Sequence, residues 1–198
     1  PSRSYFSRLS GRYPRRFFPH IRLTVLPATT IPMPVAATAK LRRRKAGEAM
    51  RRLMQEMIFA SRPQQTLFRA LCDAAEIFGT QRRVLEDVKQ IEYSYRDLIR
   101  MALLLGRLAE RGTAPGERVG LLLPNLAPTL GLLLGLSARR RVPALLNYTA
   151  GVEAMEAACT AAEVATIITA RAFVEQAKLG DKLAALAGRR IVYLEDLR

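Results

Sequence analysis

From Arg118 onward the chain alternates short, almost wholly apolar runs with longer segments of helical composition. Arg118–Leu123, Val142–Leu146, Val164–Thr169 and Arg190–Leu194 have the length and residue types of strands. Leu126–Arg140, Val152–Ala162 and Ala172–Ala187 have the length and pattern of helices between them. Strands that are apolar on both sides and separated by helices predict a mostly parallel sheet with helices on both faces. The expected fold class is therefore α/β. Just upstream, Thr66–Phe78 predicts a helix stopped by Gly79, and Val84–Val88 with Ile91–Tyr93 predicts a strand pair around a short turn. Ser94 and Asp97 have the S-x-x-D spacing that caps a helix, here expected to run through Arg111 and end at Gly112.

The front of the chain follows a different pattern. Ile21–Leu26 is a short β-like run, and Pro27, Pro32 and Pro34 then forbid regular helix. A helix is expected from about Thr38 to Ser61, with Ala46, Met50, Leu53, Met54, Met57 and Ile58 at three- and four-residue spacings. Arg42, Arg43, Arg44, Lys45, Arg51 and Arg52 crowd its start and its other faces. Such a helix can lie on an anionic membrane surface, but the pattern by itself favours an ordinary packed helix with a solvated basic face, since methionine-rich stripes are more often core. The halves meet near Arg62-Pro63, which gives three expected regions: 1–37, a linker helix at 38–65, and an α/β region at 66–198.

Charge sharpens that division. The formal net charge is +15, yet residues 1–62 hold 14 Lys/Arg against Glu48 and Glu56, whereas residues 63–198 hold 18 against 15 acids. An excess confined to one segment, without a reading motif or interleaved aromatics, argues against nucleic acid as a partner. Cys72 and Cys159 lie among apolar helix formers with no C-x-x-C and no histidine nearby, so both are expected as buried thiols. The first residues lack the apolar core of a signal peptide. Val119–Ala138 is mostly apolar over a membrane-spanning length, but Pro124, Asn125 and Pro128 interrupt it, and a strand–turn–helix explains the breaks better. A start on Pro1 and a stop directly after a strand-like run suggest a piece of a longer protein.

Candidate chemistry is sparse. His20 is the only histidine, and Val25 stands where an H-x-x-x-x-D acyltransferase motif needs its carboxylate. Neither G-x-x-x-x-G-K-[ST] nor G-x-G-x-x-G occurs. Glu86-Asp87 and Glu195-Asp196 are expected as strand neighbours that point to opposite faces, which disfavours a shared metal. Gly112–Gly116 fits a turn before a strand. The polar Asn147-Tyr148-Thr149 falls where a parallel strand ends at its carboxyl side, the place where ligands gather in such sheets.

The run ERVGLLLPNLAPTLGLLLGLSARRRVPALLNYTAG, Glu117–Gly151, resembles the N-terminal part of adenylate-forming acyl synthetases. Its RRR-x-PA-x-x-NYTAG portion, CTAAEVATIITAR (Cys159–Arg171) and the closing VYLEDL (Val192–Leu197) resemble a narrower family. That family is the bifunctional acyl-[acyl-carrier-protein] synthetase/2-acylglycerophosphoethanolamine acyltransferases. RRFFPHIRLTVLPATTIPMP and RRRKAGEAMRRLMQEMIFASRPQQTLFRAL are similar to the end of its acyltransferase domain and to the following linker. The resemblance implies a parent enzyme at the cytoplasmic face of a bacterial inner membrane. ATP and Mg2+ would serve to activate a fatty acid, acyl carrier protein would accept it, and lysophosphatidylethanolamine would be acylated. The family's acyltransferase motif would precede Pro1 and its phosphate loop would follow Arg198, so no catalytic residue is carried over, and the chain alone is expected to be inactive. Asn147, Tyr148 and Thr149 are implied as part of a substrate-pocket wall, and Arg42–Lys45, Arg51 and Arg52 as a membrane-surface contact. A stand-alone fatty-acid–CoA ligase and a non-catalytic membrane-binding module are the competing expectations.

Overall fold

The computed structural model describes residues 17–18, 23–62, 64–186 and 188–197. His20 and the first two residues of the β-like run Ile21–Leu26 lie outside them. The chain divides into two compact units, Pro1–Gln65 and Thr66–Arg198.

In the first unit the described part of the β-like run, Leu23–Leu26, is extended but is not a strand. A strand needs a partner for its backbone groups, and the proline-rich stretch after it supplies none. Helix α1 spans Ala39–Ser61, and the Thr38 hydroxyl accepts the Leu41 N–H at 3.2 Å to cap it. At the other end Arg62 is extended (φ −78°, ψ 141°), the conformation forced on a residue before proline. No residue of α1 is buried. The Lys45 ammonium donates to the Val35 carbonyl at 3.1 Å, holding the extended segment to the helix.

The second unit opens with α2 (Leu67–Phe78), capped by Thr66 and ended by Gly79 at φ 92°, a left-handed value that glycine adopts without strain. Strands β1 (Arg83–Glu86) and β2 (Glu92–Ser94) form an antiparallel hairpin. Its turn is tied by the Asp87 carboxylate, which accepts N–H groups from Lys89 at 2.8 Å and Ile91 at 3.1 Å. Helix α3 (Tyr95–Glu110) starts on the expected cap: the Ser94 hydroxyl accepts the Asp97 N–H, and the Asp97 carboxylate accepts the Ser94 N–H.

A four-stranded, wholly parallel sheet follows, in the order β4-β3-β5-β6. Its strands are β3 (Arg118–Leu121), β4 (Val142–Leu145), β5 (Thr166–Thr169) and β6 (Arg190–Tyr193). Helices α4 (Ala127–Ala138) and α5 (Val152–Ala161) connect the first three strands. The single helix expected over Ala172–Ala187 is instead two, α6 (Arg171–Gln176) and α7 (Gly180–Ala185), because Lys178 takes a left-handed conformation (φ 51°) between them. After β6 the chain closes in a 3-10 turn, Leu194–Leu197.

Alternation along the strands builds two cores. Val119, Leu121 and Ile168 face one side and pack with Ala109, Leu132 and Leu136 of α3 and α4. Leu122 and Ile167 face the other and pack with Met155, Cys159, Phe173 and Leu183 of α5, α6 and α7. Both faces of the sheet are thereby covered, as the unbroken apolar strands require. On the first side α3 and α4 cross at glycines. A Cβ on Gly135 would stand 2.7 Å from the Gly106 nitrogen, and one on Gly106 would stand 2.7 Å from the Gly135 carbonyl oxygen. Val119–Ala138 is thus strand, turn and helix, and among the described residues no helix is long and apolar enough to cross a membrane. Cys159 is buried as expected, while Cys72 is only half-buried on the outer helix α2.

Candidate functional site at the carboxyl ends of the parallel strands

Four turns meet where the parallel strands end. Beyond β3, Pro124 and Asn125 lead into α4, and the Thr129 hydroxyl donates to the Pro124 carbonyl at 2.6 Å. Pro128 lies in the first turn of α4, where its missing N–H leaves no bond unmade. Beyond β5, the buried Thr169 hydroxyl donates to the Leu122 carbonyl at 2.8 Å and fixes the two strand ends to each other. Between these turns lies a cavity of about 260 Å³, lined by Leu123, Pro124, Pro128, Ala170, Phe173 and Leu194 among others. A second cavity of about 290 Å³ lies between the hairpin and α4, with Leu85, Val88, Asn125, Leu130 and Leu145 in its wall. Both are apolar in most of their lining, and Glu86 and Asp87 lie in the wall of the second.

Asn147, Tyr148 and Thr149 do sit beyond β4, but none lines either cavity. The Asn147 side-chain oxygen accepts both the Thr149 N–H at 3.0 Å and the Thr149 hydroxyl at 2.7 Å, so these two polar groups serve each other in an Asx turn. The Tyr148 ring stands edge-on to Phe173 with centroids 5.2 Å apart and joins the core beneath. Lys182 secures the same turn from α7, donating to the Tyr148 carbonyl at 2.8 Å and the Ala150 carbonyl at 2.7 Å. The turn is therefore a rigid support next to the strand ends.

The carboxylates at this end are also engaged. Glu195 and Asp196, expected in a strand and on opposite faces, lie in the 3-10 turn and converge on one residue. The Arg171 N–H donates to Glu195 Oε1 at 3.0 Å, and its guanidinium donates to both Asp196 oxygens at 2.7 and 2.6 Å. The strand ends at Tyr193, one residue early, and the 3-10 turn from Leu194 brings both acids to Arg171. The Arg171 guanidinium also stacks over the Tyr193 ring at 4.2 Å. Its hydrogen bonds to Asp196 raise its pKa further above the usual arginine value and keep it charged. Sequence reading missed Arg171 and Lys182, since a lone cation at the start of a short helix carries no pattern.

Among the described residues no three His, Cys, Asp or Glu side chains could hold a metal ion. Glu195 and Asp196 follow the cavity-wall residue Leu194 in sequence, and Arg171 already occupies them. These residues do not fit a magnesium site. Arg141 is likewise structural: its guanidinium is buried and donates to the Thr113 hydroxyl at 3.2 Å and the Thr113 carbonyl at 2.6 Å. The predicted cations Arg42, Arg43, Arg44, Lys45, Arg51 and Arg52 are exposed on α1 in the first unit.

A parallel sheet covered on both faces, preceded by a hairpin and a capped helix, is the architecture of the N-terminal subdomain of adenylate-forming enzymes. The chain belongs to the AMP-binding enzyme family, whose pattern matches residues 73–197. Among solved structures, it is similar to the N-terminal subdomain of NpsA from Klebsiella oxytoca in complex with 3-hydroxyanthranilyl-AMSN. That match has 14% identity and a TM-score of 0.53, and it covers 67% of this chain and 32% of the other. VinN in complex with 3-methylaspartate matches at 21% identity and a TM-score of 0.54, over 67% of this chain and 35% of the other. VinN alone matches with a TM-score of 0.56, also at 21% identity, over 69% of this chain and 35% of the other. The chain thus spans about a third of the length of the structures it matches.

Proposed function

We propose that this chain forms the first part of a domain that activates a fatty acid with ATP and passes it to acyl carrier protein. In that reaction a carboxylate oxygen of the fatty acid attacks the α-phosphorus of ATP, and pyrophosphate leaves. The carrier thiolate then attacks the acyl carbonyl, and AMP leaves. The parent enzyme also transfers acyl groups to 2-acylglycerophosphoethanolamine at the cytoplasmic face of a bacterial inner membrane.

The observation that carries adenylation is the family match over residues 73–197, which coincides with the hairpin, α3 and the whole parallel sheet. The narrower choice of substrates is supported by the likeness of Arg139–Gly151 and of Arg15–Pro34 with Arg42–Leu71 to the bifunctional synthetase/acyltransferase family. The described residues contribute a scaffold: Thr169 and Thr129 lock the strand ends, Lys182 holds the Asn147–Thr149 turn, and the apolar cavity beside Phe173 suits hydrocarbon rather than a charged group.

The test uses the protein as the cell makes it. Fatty-acid-dependent exchange of pyrophosphate into ATP, followed by acylation of carrier protein in preference to coenzyme A, is the expected result. Exchange driven by amino or aryl acids and not by fatty acids would overturn the substrate class, and preference for coenzyme A would favour the stand-alone ligase. The 198-residue chain by itself is expected to show no exchange.

A further inference from the structure

We infer that α1 is an in-plane membrane helix that binds the surface of anionic phospholipid through its methionine stripe and the cations that flank it. At about 100° per residue, side chains seven apart fall on nearly one line. Met50 and Met57 share such a line, and Met54 and Ile58 extend it along the same face. Arg44 and Arg51 form a second line about 120° to one side, Arg42 lies about 80° to the other, and Lys45 and Arg52 fall towards the back. Glu48 falls on the back of the helix, where it pairs with Arg44 at 3.1 Å. An apolar stripe flanked on both sides by long cationic side chains is the form of a helix lying at a lipid interface, with the stems apolar and the charges reaching the headgroups.

The stripe is open. Met50 is 50% exposed, Met54 55% and Ile58 51%, while Leu53 and Met57 share a recess of about 300 Å³ with the extended residues Thr24–Thr29. Seven Lys/Arg against two Glu give α1 an excess of positive charge, so the occupant it selects is anionic. A flat lipid surface takes the stripe and leaves the long side chains of Arg42, Arg44 and Arg51 in reach of the headgroups. This inference deepens the membrane location proposed above and does not depend on adenylation, so loss of nucleotide exchange leaves it standing and its own failure leaves the exchange standing.

The chain has no tryptophan, so Met54→Trp supplies a single reporter. With phosphatidylcholine vesicles containing phosphatidylglycerol, its emission should shift to the blue and fall with rising salt, and with phosphatidylcholine alone it should stay near the value in buffer. Replacing Arg44 and Arg51 by Gln should weaken binding roughly tenfold. Replacing Arg100 and Arg107, exposed cations of α3, removes the same charge and should change it less than about twofold. A Met54→Asp variant, in an exposed position, should remain folded and lose binding. Equal losses for the two arginine pairs, binding unaffected by Met54→Asp, or an unshifted emission would each overturn the inference.

Discussion

Helices α1 and α4 divide the chain's apolar residues in opposite ways. Eight of the twelve residues of α4 are buried, whereas none of the 23 residues of α1 is. Yet α1 carries three methionines and an isoleucine at helical spacing, and α4 alone has the apolar content that invites a membrane reading. The difference lies in how the apolar residues are distributed. Helix α4 is apolar all round and is therefore held between α3 and the sheet, its glycines admitting the neighbouring backbone. Helix α1 is apolar on a narrow stripe between charges, and that stripe is left without a core. High hydrophobicity here marks an interior helix, and an uneven face marks a surface for something else.

The contrast is sharpest at glycine. Gly135→Ala places a methyl against the backbone of α3, and should cost the second unit about 3 kcal/mol in a denaturant titration. Cooperative unfolding at an unchanged midpoint would break the close crossing. A smaller loss, about 1 kcal/mol, is expected for Ser94→Ala, which removes the acceptor for the Asp97 N–H in the capping box. The same box sets an acid response. Hydrogen bonds from the Ser94 hydroxyl and N–H lower the Asp97 pKa below its ordinary value of about 3.9. A carboxylate depressed on folding stabilises fully above its unfolded pKa, so the contribution of this box should fade as pH drops below about 4 and through the folded value. In thermal melts Ser94→Ala should therefore flatten that fall. The smallest effect has the opposite sign. A Cβ on Gly47 of α1 meets no atom within 4 Å, so Gly47→Ala should raise helicity by circular dichroism, equivalent to about 0.8 kcal/mol. A loss of helicity there would show that α1 is packed after all.

Where chemistry was local, the amino-acid sequence disclosed it. The Ser94/Asp97 cap, Gly79 at its helix end, and the apolar strands were all legible, because each depends on residues within a few positions. Strand order was not, since β4-β3-β5-β6 is decided by which helix covers which face. The break between α6 and α7 was hidden because Lys178 takes a left-handed conformation without glycine or asparagine to announce it. At the candidate site the polar turn after β4 was visible, but its internal bonding was not: the Asn147 side-chain oxygen accepts from the Thr149 N–H and hydroxyl. Arg171 reaches Glu195 and Asp196 across more than twenty residues, a separation that no local pattern encodes.

Pro143 gives the parallel sheet a direction of growth. Strand β4 is bonded on one side only, and the N–H groups of Val142 and Leu146 point to β3. Pro143, between them, therefore falls on the outer margin, where its ring withholds the donor that a further strand would require. Strand β6, at the opposite margin, has no such residue. One border of the sheet thus lacks a donor that the other keeps, and a single imino acid makes its two margins unequal.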